Sequence, residues 1–438
     1  MYTEIAKRYS VSQGALSILG LVRGVFESIF ALPAGFLADR VPRPILICAG
    51  SLIWAGGLIG CALAPTLGWM AFWRALNGVG LGLVQPLLFS LVADKSSAAS
   101  RGKAFGVLQF SGNIGQTLFT AAATAIAGYH VAGMAGWQFA LVAVALLSAI
   151  VGLLVWMLVS ELQHKSSNSR GMLTIIREEM PTVLRIFCTP TFIIVIGQGI
   201  FGTAPWFAFS YLTAWLELNC FSNSQAAFIY AFFNAGCAIS AFAGGFILDA
   251  LFKKCPNHGA PAMSQLSVFL SVPLFALILF GLGGMDSDGE NMVVTYAVVF
   301  LITGSLIAWN MVTNNKMFSD IVPQKSYQYV YALDRCIEGV FGALGTPAVG
   351  WLTDSVFGFD AQTANTSGCS PSNAESLAKG IFTVSAVGFG LCFCFYSVAH
   401  WTYPRDRRVV ERARLAEKAE EQRNEASSVM GVSQEASV

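Results

Sequence analysis

What most constrains this chain is the recurrence of apolar runs of about 20 residues, the length an α-helix needs to cross a ~30 Å hydrocarbon layer. Eleven runs are readable, at Ser12–Phe36, Pro44–Leu63, Trp69–Val92, Ala104–Gly128, Gly136–Val159, Thr191–Trp215, Ser224–Phe252, Met263–Gly284, Met292–Thr313, Tyr327–Leu352 and Ile381–Trp401. Inside lipid every backbone polar group must find its partner within the protein, so such runs form helices. Only 12% of the residues are charged and 55% are hydrophobic, whereas a soluble domain is about a quarter charged. The sequence therefore predicts an all-α membrane protein of about eleven spanning helices.

The connections fix an orientation, because basic residues in short loops stay on the cytoplasmic side. Of 26 Lys and Arg, thirteen fall in the connections after spans one, three, five, seven and nine. They are Arg40, Arg43, Lys95, Arg101, Lys103, Lys165, Arg170, Arg177, Arg185, Lys253, Lys254, Lys316 and Lys325, whereas the alternate connections hold only Lys379. The carboxyl-terminal tail is thus expected in the cytoplasm and the amino terminus on the other side, in the plasma membrane or an endomembrane. The sequon Asn365-Thr366-Ser367 falls in an outer loop, in agreement with that orientation. Residues Met1 to Ser10 are polar and do not resemble a cleavable signal peptide.

A net charge of +1 argues against a surface for nucleic acid. The ten cysteines include no CxxC pair and, with no His cluster, suggest neither metal nor cofactor. Cys392 and Cys394 read as small apolar fillers of the last span. Cys220 and Cys369 both fall in outer loops, which leaves a disulfide between them open.

A repeat divides the chain. Gly35-Phe36-Leu37-Ala38-Asp39-Arg40-Val41-Pro42-Arg43 ends span one, and Gly245-Phe246-Ile247-Leu248-Asp249-Ala250-Leu251-Phe252-Lys253 ends span seven, with Gly, Phe, an acid and a cation in register at an offset of 210 residues. A weaker echo follows each: Asp94 before Arg101-Gly102, and Asp320 before Lys325-Ser326. Repeats of this size build transporters from two halves around a cavity. We expect two pseudo-symmetric bundles, residues 1–159 with five spans and 190–403 with six, joined by a linker at 160–189 and followed by a tail at 404–438. Within the linker, Met172–Phe187 has the pattern of a helix lying in the interface, with Ile175, Ile176, Val183, Leu184 and Phe187 apolar. The tail, mixing Arg and Glu at helical spacing, is expected to begin as a surface helix drawn to anionic lipid.

Gly35 lets a neighbouring helix approach closely, and a carboxylate at Asp39 can accept charge-assisted hydrogen bonds from cations or from another helix's amino terminus. With these residues the chain resembles the major facilitator superfamily, whose signature loop G-x-L-a-D-R-x-G-R is matched by Gly35, Leu37, Ala38, Asp39, Arg40 and Arg43, with Pro42 in place of the usual Gly. Arg74-Ala75-Leu76-Asn77-Gly78-Val79-Gly80-Leu81-Gly82 is similar to the family's R-x-x-x-G-x-G-x-G motif. The stretch Ser90 to Asp94 through Arg101-Gly102-Lys103-Ala104-Phe105-Gly106 is similar to its inner loop between helices four and five. The likeness is nearest to the spinster-like and plant or protist members. It implies rocker-switch alternating access, with Asp39, Arg43 and Asp94 as an inner charge relay and Asp249 and Lys253 as its degenerate counterpart. It also implies twelve helices, with the first span here corresponding to the family's second, so a helix upstream of Met1 is expected.

Charges at membrane depth cost at least ~2.5–3.5 kcal/mol on insertion scales and call for a partner or a purpose. Arg23 and Glu27 share a helix face about mid-membrane, and fit either a substrate-binding or proton-linked pair or a self-neutralised pair holding helices together. For Arg74 the family motif implies proton coupling or helix packing. Asp334, Arg335 and Glu338 form a second cluster, in which an Arg335–Glu338 bridge for gating or structure is favoured over substrate contact. Gln85, Asn113, Gln116, Gln198, Asn234, Asn310 and Asn314 are cavity candidates, each with interhelical hydrogen bonding as the default. Trp206, Phe207 and Tyr211 are aromatic candidates that packing also explains.

The function expected is secondary transport of a small organic solute or lipid-like molecule by a monomer, driven either by proton coupling or by the solute gradient. No GxxxxGK[ST] loop for ATP is present. The rival, a membrane enzyme or non-transporting receptor, has little to work with, since His130, His164, His258 and His400 all lie at or near loops or helix ends.

Overall fold

The computed structural model describes residues 8–9, 13–38, 40–126, 129–131, 133–159, 172–282, 289–342, 344–359 and 369–435. In chain order the helices are α1 Gln13–Leu37, α2 Arg43–Leu63, α3 Leu67–Lys95, α4 Arg101–Ile126, α5 Gly136–Leu158, α6 Met172–Phe187, α7 Pro190–Ala208, α8 Leu212–Leu218, α9 Asn223–Lys254, α10 Gly259–Ala276, α11 Gly289–Ile307, α12 Trp309–Asp320, α13 Tyr327–Gly342, α14 Gly345–Trp351 and α15 Pro371–Glu435. A two-stranded hairpin, His130–Val131 with Met134–Ala135, joins α4 to α5.

Local chemistry sets the starts. Pro190 and Pro44 occupy the first turns of α7 and α2, where the missing N–H costs nothing. Thr66 accepts from the Trp69 N–H at 3.4 Å, and Ser222 and Gln225 cap α9 reciprocally. Spans six, nine and ten are broken rather than single: α7 passes through a 3₁₀ turn at Phe209–Tyr211 into α8, α11 gives way to α12 at Ala308, and α13 gives way to α14 near Leu344. Among the described residues nine stretches are long and apolar enough to cross a membrane. Neither α4 nor α13 is one of them.

The helices pack as two bundles. In the first, α1 lies on α3, α3 on α2, and α2 on α5; in the second, α9 lies on α11, α7 and α10 on α15, and α12 on α10. Two antiparallel seams join them, α1 against α13 and α4 against α9. The polar helices that fall short as lipid-facing spans are thus seam helices. The Arg74 motif is used for close approach. A methyl on Gly78 or Gly82 would overlap the carbonyl of Arg23 or Glu27 on α1, while one on Gly80 would strike Gly50 and Trp54 of α2.

At the end of the molecule away from the basic connections, Cys220 and Cys369 are joined by a disulfide. It ties the turn after α8, where Cys220 adopts a left-handed φ of 72°, to the approach to α15. Ser370 N–H donates to the Leu218 carbonyl alongside, at 3.0 Å. Asn365 lies outside the described residues.

Three expectations need correction. Lys316 is not in a loop; it lies within α12 and is fully buried, because its ammonium reaches across to the Ala98 carbonyl of the first bundle. The tail is not a separate surface helix but the direct continuation of the last span. α6 forms where expected, yet Val183 and Ile186 are buried in the protein core, leaving Leu184 and Phe187 exposed.

Candidate functional site: two seams between the bundles

Both seams are closed at the basic end. A methyl on Gly245 would overlap the Gly102 carbonyl, and one on Gly35 would press on Ala332 and the Gln328 carbonyl at 3.3 Å. The two signature turns therefore sit at the same end, each glycine admitting the first turn of a helix from the other bundle. Asp249, 2% exposed, completes one of these contacts. Its carboxylate accepts from the backbone N–H of Gly102 and of Lys103, both at 2.9 Å, where a helix amino terminus presents unpaired donors and partial positive charge. Lys253 is exposed on the next turn and does not share in this contact, so the expected Asp249–Lys253 relay is replaced by a cap on α4. Asp39 lies outside the described residues, and Arg40 is exposed on its turn.

Arg43 and Asp94 pair at 2.8 Å within the first bundle, and Gln324 of the second bundle donates to the other oxygen of Asp94. Arg101 is 5% exposed. It donates to the carbonyls of Ala93 and Ser96 at the end of α3, each at 3.2 Å, and crosses to Asp320 at 3.4 Å. Its guanidinium lies 5.3 Å from the Tyr327 ring. Lys316 donates to the Ala98 carbonyl of the first bundle at 2.7 Å, sits 3.6 Å from Asp320, and rests 3.8 Å from the Phe252 ring. Tyr403 donates to Asp320 at 2.8 Å. Lys316, Gln324 and Tyr403 escaped sequence reasoning; the only available signal was the i,i+4 spacing of Lys316 and Asp320.

Midway along the α1–α13 seam the two intramembrane clusters become one. Arg23 lies 3.8 Å from Glu27. Arg335 pairs with Asp334 at 2.9 Å and less closely with Glu338 at 3.9 Å, so the expected Arg335–Glu338 bridge is the weaker of the two. Ser28, next to Glu27, packs on Gly339, next to Glu338, and Glu27 is within electrostatic reach of Arg335. The guanidinium of Arg335 lies 5.6 Å from the Phe89 ring of α3. Glu338 occupies the space left by Gly199 on α7. One oxygen of Asp334 and one of Glu338 are buried without a hydrogen-bond partner among the described residues. Three acids thus face two guanidinium groups.

Beyond this level the α1–α13 seam parts: no atom comes within 4 Å of a methyl placed on Gly20 or Gly24 of α1. The aromatic contact of Phe110 with Phe242, 5.4 Å between centroids, is the last ring pair along α4 and α9 among the described residues. Gln116 of α4 is exposed, and Asn113 of α4 and Gln85 of α3 are half-buried. Gln198 and Asn314 are instead joined by Tyr396, whose hydroxyl lies 2.8 Å from the side-chain oxygen of each inside the second bundle. Asn234 donates to the Tyr230 carbonyl one turn back, at 3.2 Å, and Asn310 is buried with its side-chain oxygen lacking a partner among the described residues. Arg74 is half-buried, and its Nε lacks a partner among the described residues. Trp206 packs on Phe209 and Phe233.

A family model described as Major Facilitator Superfamily matches residues 1–303. Protein spinster of Drosophila melanogaster is 20% identical over 367 residues, 81% of this chain and 58% of that protein. Protein spinster homolog 1 of Rattus norvegicus is 29% identical over 168 residues, 36% of this chain and 30% of that one. The chain is therefore matched to less than two thirds of the length of either relative. Among solved structures, the human organic anion transporter MFSD10 superposes with a TM-score of 0.63 at 16% identity, covering 87% of this chain and 83% of the other. An inward-facing, occupied bacterial homolog of the human lysosomal transporter spinster gives 0.60 at 19% identity, covering 92% of each. These likenesses establish the fold.

Proposed function

Because this chain belongs to the Major Facilitator Superfamily, we propose that it is a secondary carrier that moves a small organic or lipid-like molecule by alternating access, acting as a monomer and without catalysis. The observation that carries this reading is the asymmetry of the seams. They are bolted at the basic end by Asp249 on α4 and by Arg101 on Asp320, and the α1–α13 seam is unfilled at Gly24 toward the other end. The basic end is the cytoplasmic one by the distribution of Lys and Arg. The Cys220–Cys369 disulfide at the far end suits an oxidising exterior or lumen. The described state is accordingly open outward and closed inward.

The seam cluster is the coupling element in this reading. Asp334 and Glu338 face one guanidinium, and two of their buried oxygens lack donors among the described residues. One proton between them would satisfy both oxygens and neutralise the triad. Arg335 meanwhile touches Phe89 of the opposite bundle, so separation of the seam changes what surrounds it. Proton occupancy and seam closure are thereby linked.

The test is sided labelling. In sealed vesicles of known orientation, Asn113→Cys should react with a membrane-impermeant maleimide from the outer side, and Arg101→Ala should shift its reactivity toward the inner side. Reaction of Asn113→Cys from the inner side alone, in the otherwise unaltered protein, would overturn the assignment. Flux of a screened solute into proteoliposomes tests transport itself.

A further inference from the structure

The last helix does not stop at the membrane. Beyond Trp401, α15 continues without a break, and one face of its next three turns grips the basic end of the second bundle. Asp406 accepts from the backbone N–H and the hydroxyl of Thr191, at 2.8 and 2.7 Å, capping the first turn of α7. Arg407 donates to the Pro256 carbonyl at 2.9 Å and to Asn257 at 3.3 Å, just past the second signature turn. Arg414 donates to the carbonyls of Ser319 and Val322, at 3.0 and 2.8 Å, and to the Tyr327 hydroxyl at 3.1 Å. With Tyr403 and the buried Val410, these residues recur at helical spacing on a single stripe. Arg405, Arg408 and Arg412 on the other side are exposed.

The acceptors of Arg414 bracket one connection, the turn from α12 to α13. The carbonyls at the end of a helix lack intrahelical partners, and a cation there is favourable. This same connection and the helix before it send three contacts to the other bundle: Lys316 to Ala98, Asp320 to Arg101, and Gln324 to Asp94. Arg414 touches none of the three partners; it fixes the segment that presents their counterparts.

We propose that residues 403–414 of α15 are a brace that holds the α12–α13 connection in its latching position, so that releasing the brace opens the basic end. The proposal rests on the inner-gate reading above. Its direction is definite: the extension grips only the second bundle among the described residues, yet its loss is felt in the first.

Hydrogen–deuterium exchange on the full-length protein in lipid nanodiscs tests this directly. In Arg414→Ala, exchange in 96–106, a segment of the first bundle that the extension does not touch, should rise roughly tenfold together with 319–327, equivalent to about 1.4 kcal/mol of lost closure. Arg414→Gln, which keeps one donor, should give a smaller rise, and Arg412→Ala none. Protection in α10 and α11 reports whether the fold survives; if Arg414→Ala loses it, Arg414→Gln carries the test. Asp249→Asn, which breaks the gate itself, serves as reference. If Asp249→Asn exposes 96–106 while the Arg414 variants raise exchange only in 319–327, the brace is refuted and the gate stands. If Asp249→Asn leaves 96–106 unchanged, the gate reading falls and the brace with it.

Discussion

Asp249→Asn is the sharpest perturbation of the closed end. The carboxylate meets two backbone amides at 2.9 Å each, at the amino terminus of α4 and in a nearly water-free seam. Asparagine keeps one acceptor but turns an NH₂ toward the second amide, so one donor is orphaned and the negative charge is lost. A hydrogen bond to a charged group contributes about 1.5–3 kcal/mol, and a charge at a helix end up to about 2 kcal/mol when partly buried. Because asparagine retains part of each, we take about 3 kcal/mol as the combined loss, a shift of about a hundredfold between closed and open. The contact spans the two bundles and exists only while they touch, so this loss falls on the conformational equilibrium and not on either bundle's folding. Spin labels on Ala99→Cys and Lys254→Cys, in a background with the reactive cysteines replaced, would read it as a long-distance population appearing in the double electron resonance trace. An unchanged distance distribution, with thermal stability also unchanged, would refute the idea that Asp249 holds the bundles together.

Other expectations follow from the same geometry. Gly102→Ala should open the basic end as Asp249→Asn does, because the new methyl would lie 2.5 Å from the Asp249 carboxylate; the same distance measurement checks it, and Lys253→Ala serves as the silent neighbour. Gly78→Val and Gly82→Val should cut the yield of folded protein in size-exclusion chromatography, since both helices' backbones meet there, whereas Gly112→Ala should be tolerated. Glu338→Gln should weaken any pH dependence of solute flux in proteoliposomes while leaving counterflow intact; retention of the full pH dependence would remove the triad from the coupling path. Peptide mapping without reductant should recover Cys220 and Cys369 in one linked species, and free thiols at both positions would show otherwise.

The bundle architecture was legible because lipid imposes a coarse grammar: length and apolarity suffice to find a span, and the Gly-to-acid repeat marks which turns correspond. That grammar says little about a seam. Lys316 reads as a loop residue since nothing in Asn314-Asn315-Lys316 announces that Ala98, more than two hundred residues earlier, supplies its acceptor. The Asp249–Lys253 relay was implied by the family resemblance, yet an amide pair on another helix outcompetes an exposed ammonium because the carboxylate is buried against it. Conversely, Arg23–Glu27 and Asp334–Arg335–Glu338 were each visible as violations of apolar patterning, and what the sequence could not supply was that Ser28 meets Gly339 and makes them neighbours. Long-range pairing between helices, rather than the identity of any single residue, is therefore the information that a lone sequence lacks. It is also where the two functional contacts lie, since a latch must join parts of the chain that can come apart.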